Sequence, residues 1–367
     1  MKELYERYKL FFIILITVAI GFLAWYFSTI IIVVLIAGVV SIIGFPLVDL
    51  LDKIRIGKIH FPHILSVFIT LILLVAIFFG LFSFFIPLVA EETGLISSID
   101  WDKLGQYYQS DIQWIQHRLI DFGIIHRHDT FQSLLKANFT RIVDFNKFSD
   151  ILGSIISYTV SFFFNLFSIV FISFFFLLDK NLLPRFILLI IPKKYHEKTK
   201  NVMSKSKKLL TRYFIGLIID ILVMIASYAI ALSIVGVKGA LVIAFFGGIV
   251  NMIPYIGPIV ATVTGVLLAV TGVISEGMYM QIAPVAIKTL IAIVVVILLD
   301  NVLYQPWIYG KSVKAHPIEI FLVIIAAASI GGIPGMIIAV PAYAFLRIVA
   351  VEFFDQFRVV QQISQKT

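Results

Sequence analysis

The stretch that decides the fold is LFFIILITVAIGFLAWYFSTIIIVVLIAGVVSIIGFP, Leu10–Pro46, where 37 consecutive positions carry no charge. About 17–25 apolar residues in a helix cross the roughly 30 Å of hydrocarbon in a bilayer. The stretch is long enough for two passes, over 10–26 and 28–46. Trp25, Tyr26 and Ser28 mark the turn between them, because amphipathic aromatic rings settle at the membrane–water boundary. The charged start, MKELYERYK, resembles the head of a signal peptide. A signal core, however, holds about 7–15 apolar residues before a small-residue cleavage site. No such site is legible here, so a retained first helix is expected.

The same theme continues outward. Over its 367 residues the chain is 60% hydrophobic and 14% charged, against about 45–50% and 25% in a soluble domain. Further apolar runs predict helices over 63–89, 151–178, 213–235 and 282–300. The absence of cysteine excludes disulfides, thiolate metal sites and Cys nucleophiles. The net charge of +8 sits in short loops between apolar blocks, which is a topology signal and gives no reason to expect nucleic acid.

Charge then sets an orientation. Basic loops stay in the cytoplasm. Loop 49–60 carries Lys53, Arg55 and Lys58, and stretch 179–212 holds ten lysines and arginines against Asp179 and Glu197. Both are expected inside with the two termini. Segment 91–150 is rich in Asp and is expected outside, with amphipathic helices near 101–122 and 130–145. The predicted organisation is helices 1–3 over 1–90, an extracytoplasmic helical module over 91–150, helix 4 and a basic loop over 151–212, a transport region over 213–352, and a cytoplasmic tail over 353–367. The expected class is an all-α polytopic membrane protein with about seven or eight membrane segments, including broken or re-entrant helical hairpins in the C-terminal half.

Two of those segments are interrupted. Stretch 239–274 is broken by Asn251, Pro254, Gly257 and Pro258, leaving arms over 239–250 and 259–274. Stretch 318–350 is broken by Gly331, Gly332, Pro334 and Gly335. Proline removes a backbone donor, and lipid supplies no replacement, so each break must lie against protein or a polar cavity. Paired interruptions in one half of a chain point to the solute path of a transporter. Asn251 and Tyr255 add side-chain hydrogen bonds to the exposed backbone expected at the first break.

Asp220 lies eight residues beyond Arg212, about 12 Å into the membrane at 1.5 Å per residue. A carboxylate there costs roughly 2.5–3.5 kcal/mol on insertion scales and marks an ion or proton path, or a structural pair. Lys288 in helix 7 can snorkel outward or pair with Asp220. Asp300, Asn301 and Gln305 stand where helix 7 meets its loop, as gate residues or as a helix cap. The seven histidines form no metal-ligand pattern. No nucleotide motif and no nucleophile–base set is legible, so neither an enzyme nor a cofactor is expected.

The runs GGIVNMIPYIGP (Gly247–Pro258), DNVLYQPWIYGKSVKAHP (Asp300–Pro317) and GGIPGMIIAVP (Gly331–Pro341) resemble, in order and spacing, three signatures of the autoinducer-2 exporter family, the PerM-type permeases. The resemblance implies a secondary exporter or permease of the bacterial cytoplasmic membrane and a homo-oligomer, a pentamer being one form. It also implies that Asn251, Pro254, Tyr255, Gly257 and Pro258, then Asp300, Asn301, Pro306, Gly310, His316 and Pro317, occupy the motif positions. Three functions follow as alternatives. One is export of a small polar solute or signal molecule past Asn251 and Tyr255. Another is exchange of Na+ or Li+ for H+ through Asp220 or Asp300. The third is a scaffold acting through segment 91–150 and the basic loop.

Overall fold

A computed structural model of the chain describes residues 11, 15, 18–19, 21–23, 25–56, 59–97, 103, 159–309 and 316–353. Of the expected module over 91–150, residues 91–97 and Lys103 are described and helical, and the rest lies outside the described residues. Of the first expected helix, the positions described between 11 and 26 are helical.

The apolar runs fold as helices because a chain in hydrocarbon must satisfy every backbone N–H and C=O within its own segment. In order they are α1 (Ser28–Leu51), α2 (His63–Ser97), α3 (Thr159–Leu178), α4 (Leu182–Ile190), α5 (His196–Ile234), α6 (Ala240–Val250), α7 (Ile256–Ser275) and α8 (Ile282–Leu299). A π turn (Asp300–Tyr304) leads into α9 (Gln305–Tyr309), and α10 spans Pro317–Phe353. A two-residue antiparallel ladder, Arg55–Ile56 on Ile59–His60, joins α1 to α2. Among the described residues six helical stretches are long and apolar enough to cross a membrane, or seven if the bent α3–α4 pair is one span. The chain is a polytopic α-helical membrane protein.

Two compact units divide the chain: residues 1–77 with 155–197, and 78–154 with 198–367. In the first, α1, α2 and α3 pack around Val48, Val67, Leu71 and Leu177. Ser173 Oγ donates to the Ala37 carbonyl at 3.2 Å, tying α3 to α1. In the second, α5, α6, α7 and α8 enclose a core that includes Met224, Tyr228, Leu232, Ile243, Ala244, Ala269, Ile293 and Val296. The stripe comes from α5, whose buried Tyr213, Leu217, Asp220, Met224, Tyr228 and Leu232 recur every three or four residues along one face.

Three boundaries differ from expectation. The basic stretch 179–212 is not a loop: α5 starts at His196, because lysine is a good helix former and the apolar stripe of α5 extends it. Helix α2 runs through Pro87 to Ser97. Helix 7 does not stop at Asp300 but continues through the π turn to Tyr309.

Helix α10 is not one straight rod. Gly332 has φ 58° and ψ −141°, which breaks the helix. Tyr343 Oη donates to Glu319 Oε2 at 2.5 Å, and Gly335 lies directly against the Ala327 carbonyl group. Both pairs fix one antiparallel register, so α10 is a hairpin with its tip near Gly332. Its first arm, Pro317 to Gly331, is about 21 Å long at 1.5 Å per residue, short of a full crossing. The segment returns to the side it entered from. Lys205 Nζ at 2.7 Å and Asn201 Nδ2 at 3.1 Å hold Glu352, which ties the open end of the hairpin to the basic end of α5.

Candidate functional site

Helices α6 and α7 form a second hairpin. It starts at the other end of α5, where Lys238 pairs with Glu276. The 11 residues of α6 reach about 16 Å, roughly half a bilayer. Its tip is therefore buried, and the residues there explain how. Asn251, Met252 and Ile253 send their amides to Gly247, Ile249 and Val250. Ile256 and Gly257 send theirs to Pro254 and Ile253 at 2.8 Å each. Pro254 and Pro258 have no amide to satisfy. The amides of Asn251, Met252, Ile253, Ile256 and Gly257 are thus spent inside the turn and are not left for a solute.

Close packing forces two glycines. A Cβ on Gly257 would lie 2.8 Å from Asn251 Cα, so only glycine lets α7 start against the end of α6. A Cβ on Gly248 would lie 2.9 Å from the Ile225 amide nitrogen, so α6 rests on the α5 backbone. Ile225 is thirteen residues from Arg212 and nine from Ile234. At 1.5 Å per residue it stands about 20 Å from one and about 14 Å from the other, well inside the hydrocarbon. Tyr255, which opens α7, has φ 65°, a strained conformation for a side chain of its size. Its ring meets Phe321 of α10 edge to face at 6.1 Å.

At this depth lies a buried carboxylate. Asp300 is 1% exposed and Asn251 8%. Asn251 Nδ2 donates to Asp300 Oδ2 at 3.2 Å, and Gln305 Nε2 donates to the same oxygen at 2.9 Å. The second bond depends on the π turn. Five residues along an α-helix rotate a side chain about 140° off its starting face. The i→i+5 pattern widens the turn and brings Gln305 back over Asp300. Ser227 Oγ and Tyr304 Oη lie 3.1 Å apart beside this cluster. Asp300 Oδ1, Asn251 Oδ1 and Tyr228 Oη are buried without a hydrogen-bond partner among the described residues. Tyr228 is 1% exposed and its ring packs on Gly247. The carboxylate of Asp300 acts electrostatically on it.

The expected residues are thus partly brought together. Asn251 and Asp300 meet, with Pro254, Gly257 and Pro258 shaping the turn that places Asn251. Tyr255 is 44% exposed and turned to Phe321. Asn301 is exposed. Asp220 is 4% exposed and lies two turns of α5 from Tyr228, beside Tyr213. Lys288 is exposed on α8, beside the buried Thr289. Gly331, Gly332, Pro334 and Gly335 form the tip of the α10 hairpin. Gln305, expected beside Asp300 as a gate or cap residue, is brought onto it, whereas Tyr228, Ser227 and Tyr304 carry no signal of their own in the sequence. Tyr228 reads there as one more apolar-stripe residue, and Gln305 reads as facing away from Asp300 until the π turn is known. No cluster of three or more His, Asp or Glu able to hold a metal occurs among the described residues.

The chain resembles known membrane proteins over almost its full length. The family described as "AI-2E family transporter" matches residues 12–354. "Putative transport protein YueF" of Bacillus subtilis (strain 168) is 28% identical over 332 residues, covering 88% of this chain and 84% of that protein. "Putative transport protein YrrI" of the same organism is 26% identical over 190 residues, 51% of this chain and 50% of its own. "Putative transport protein MT0215" of Mycobacterium tuberculosis (strain CDC 1551 / Oshkosh) is 32% identical over 123 residues, 33% of this chain and 30% of its own.

Proposed function

The chain belongs to the AI-2E transporter family, and on that premise we propose that it exports a small polar solute by secondary transport, with Asp300 as the coupling group. The observation that carries this reading is the hydrogen bond from Asn251 to a carboxylate buried at membrane depth. A charge in that position is costly unless it is matched, and in membranes such groups mark ion and proton routes. Asp300 is held by two neutral amide donors, and one carboxylate oxygen has no donor among the described residues. Uptake of a proton there changes what Asn251 and Gln305 bind. Because Asn251 sits on the α6–α7 tip and Asp300 on the π turn after α8, that change acts between two elements. Broken hairpins at membrane depth are the parts that move in secondary transporters. The basic end of α5 supports placement in the bacterial cytoplasmic membrane with that end inside.

The family resemblance makes autoinducer-2 the first solute to try. In vesicles containing the purified protein and loaded with candidate solutes, an imposed pH gradient is expected to drive release. Asp300→Asn is expected to uncouple release from the gradient. Release that ignores the gradient in the parent protein defeats the coupling role, and no release of any solute defeats the export role.

A second reading has its own support. Asp300 Oδ1, Asn251 Oδ1 and Tyr228 Oη are all hard oxygen donors, the kind that suit Na+ or Li+ as well as H+. Sodium-driven proton movement in the same vesicles, lost in Asp300→Asn, would favour cation exchange over solute export.

A further inference from the structure

We propose that α4 and the two lysines after it form a docking site for anionic phospholipid at the membrane surface. Charged side chains from three helices mark one level of the first unit. Asp49 and Asp52 stand at the end of α1, His63 at the start of α2, and Asp179 and Lys180 at the end of α3. They pair there: Lys180 with Asp49, and His63 with Asp52 at 2.8 Å. The rest of α1 and α3 carries no charge, so this level is where the polar surface of the bilayer must fall.

Helix α4 leaves α3 at 91° at that level, and a helix perpendicular to a span there lies along the interface. Phe186, Leu189 and Ile190 recur at i, i+3 and i+4, on one face, and are 60%, 81% and 85% exposed. An apolar stripe of this kind sinks about 5–10 Å into the headgroup boundary. Lys193 and Lys194 follow directly in a 3-10 turn, and both are exposed. Lys180 and Arg185 are occupied by Asp49 and Asp179. Lys193 has no carboxylate partner among the described residues, and Lys194 lies 5.6 Å over the Tyr195 ring. Two ammonium groups beside an exposed apolar stripe complement a phosphate headgroup above its acyl chains. A lysine near an anionic surface strengthens binding about fivefold, an effect that salt screens.

The chain contains no cysteine, so a single introduced thiol reports cleanly. Full-length Ile190→Cys and, separately, Phe186→Cys would be labelled with a bimane and placed in bilayers holding brominated phosphatidylglycerol or brominated phosphatidylcholine at equal mole fraction. Both positions are expected to be quenched, several-fold more by the anionic lipid. Lys193→Gln with Lys194→Gln should remove that preference while leaving quenching by phosphatidylcholine. Equal quenching by both lipids in the parent overturns the headgroup site. Quenching by aqueous iodide with none by either lipid at both positions overturns the interfacial placement.

Discussion

Asn251 and Asp300 lie 49 positions apart in sequence, yet the Asn251 amide donates to the Asp300 carboxylate at 3.2 Å, both side chains buried. The bond joins the tip of the α6–α7 hairpin to the π turn that ends α8. A hydrogen bond to a charged group contributes about 1.5–3 kcal/mol, and removing one partner leaves the other stranded.

Asn251→Leu is therefore expected to lower transport at least tenfold in reconstituted vesicles, with the protein still folded by its elution profile. Combined with Asp300→Asn it should cost less than the two single losses added, because each removes the same contact. Strict additivity would show that the two residues act apart.

Gly257→Ala places a Cβ 2.8 Å from Asn251 Cα and is expected to destabilise by about 1–3 kcal/mol through overpacking. Gly38→Ala is the control. It lies inside α1 with nothing within 4 Å of the added carbon, so it should be neutral or stabilising by up to about 1 kcal/mol. Thermal midpoints in one detergent compare them, and similar shifts for both would reject the tight turn.

Glu319→Cys with Tyr343→Cys is expected to be joined by a bifunctional thiol cross-linker with a span of about 10 Å, since the long native side chains touch across the α10 hairpin and a direct disulfide would need their Cα atoms within about 7 Å. In a straight helix the two positions would stand about 36 Å apart. A mass assay after cross-linking distinguishes these geometries, and failure to cross-link favours a continuous rod.

Asp52 titrates outside the spans. Burial works to raise its pKa, but the Ser66 hydroxyl and His63 beside it win, and the carboxyl is held below its ordinary value of 3.8. A carboxyl held low favours the folded state above its ordinary value and loses that contribution as pH falls through the lowered one. Asp52→Asn should reduce the thermal midpoint slightly at pH 7, by the equivalent of about 1 kcal/mol or less for so exposed a pair. The gap should narrow as pH falls below 3.8 towards the lowered value. A gap that stays constant from pH 7 to complete protonation of the carboxyl would show that ionisation of Asp52 has no part in it.

Much of the architecture is legible in single residues. Arg212 and Ile234 bracket an apolar run of crossing length, and Pro254 with Gly257 announces a break whose two arms are found as α6 and α7. Less of the candidate site is legible. Asp300 reads equally well as a helix cap, since no local pattern shows that helix 7 continues beyond it. Gln305 becomes its partner only through the π turn, and Tyr228 reads as core because its stripe is apolar. At the first break the amides of Asn251, Met252, Ile253, Ile256 and Gly257 are taken within the turn, which the sequence does not show.

By itself the sequence determined that this chain lives in a membrane as helices, where its breaks fall, and to which family it belongs. These are local properties, because hydrocarbon compels each segment to satisfy its own backbone. Tertiary structure alone decided between a broken span and a hairpin for α10, and that Asn251 meets Asp300. Those outcomes depend on how closely helices approach and on which side chains then face each other. Glycines at the contacts set that approach, and nothing in the order of residues along the chain records it.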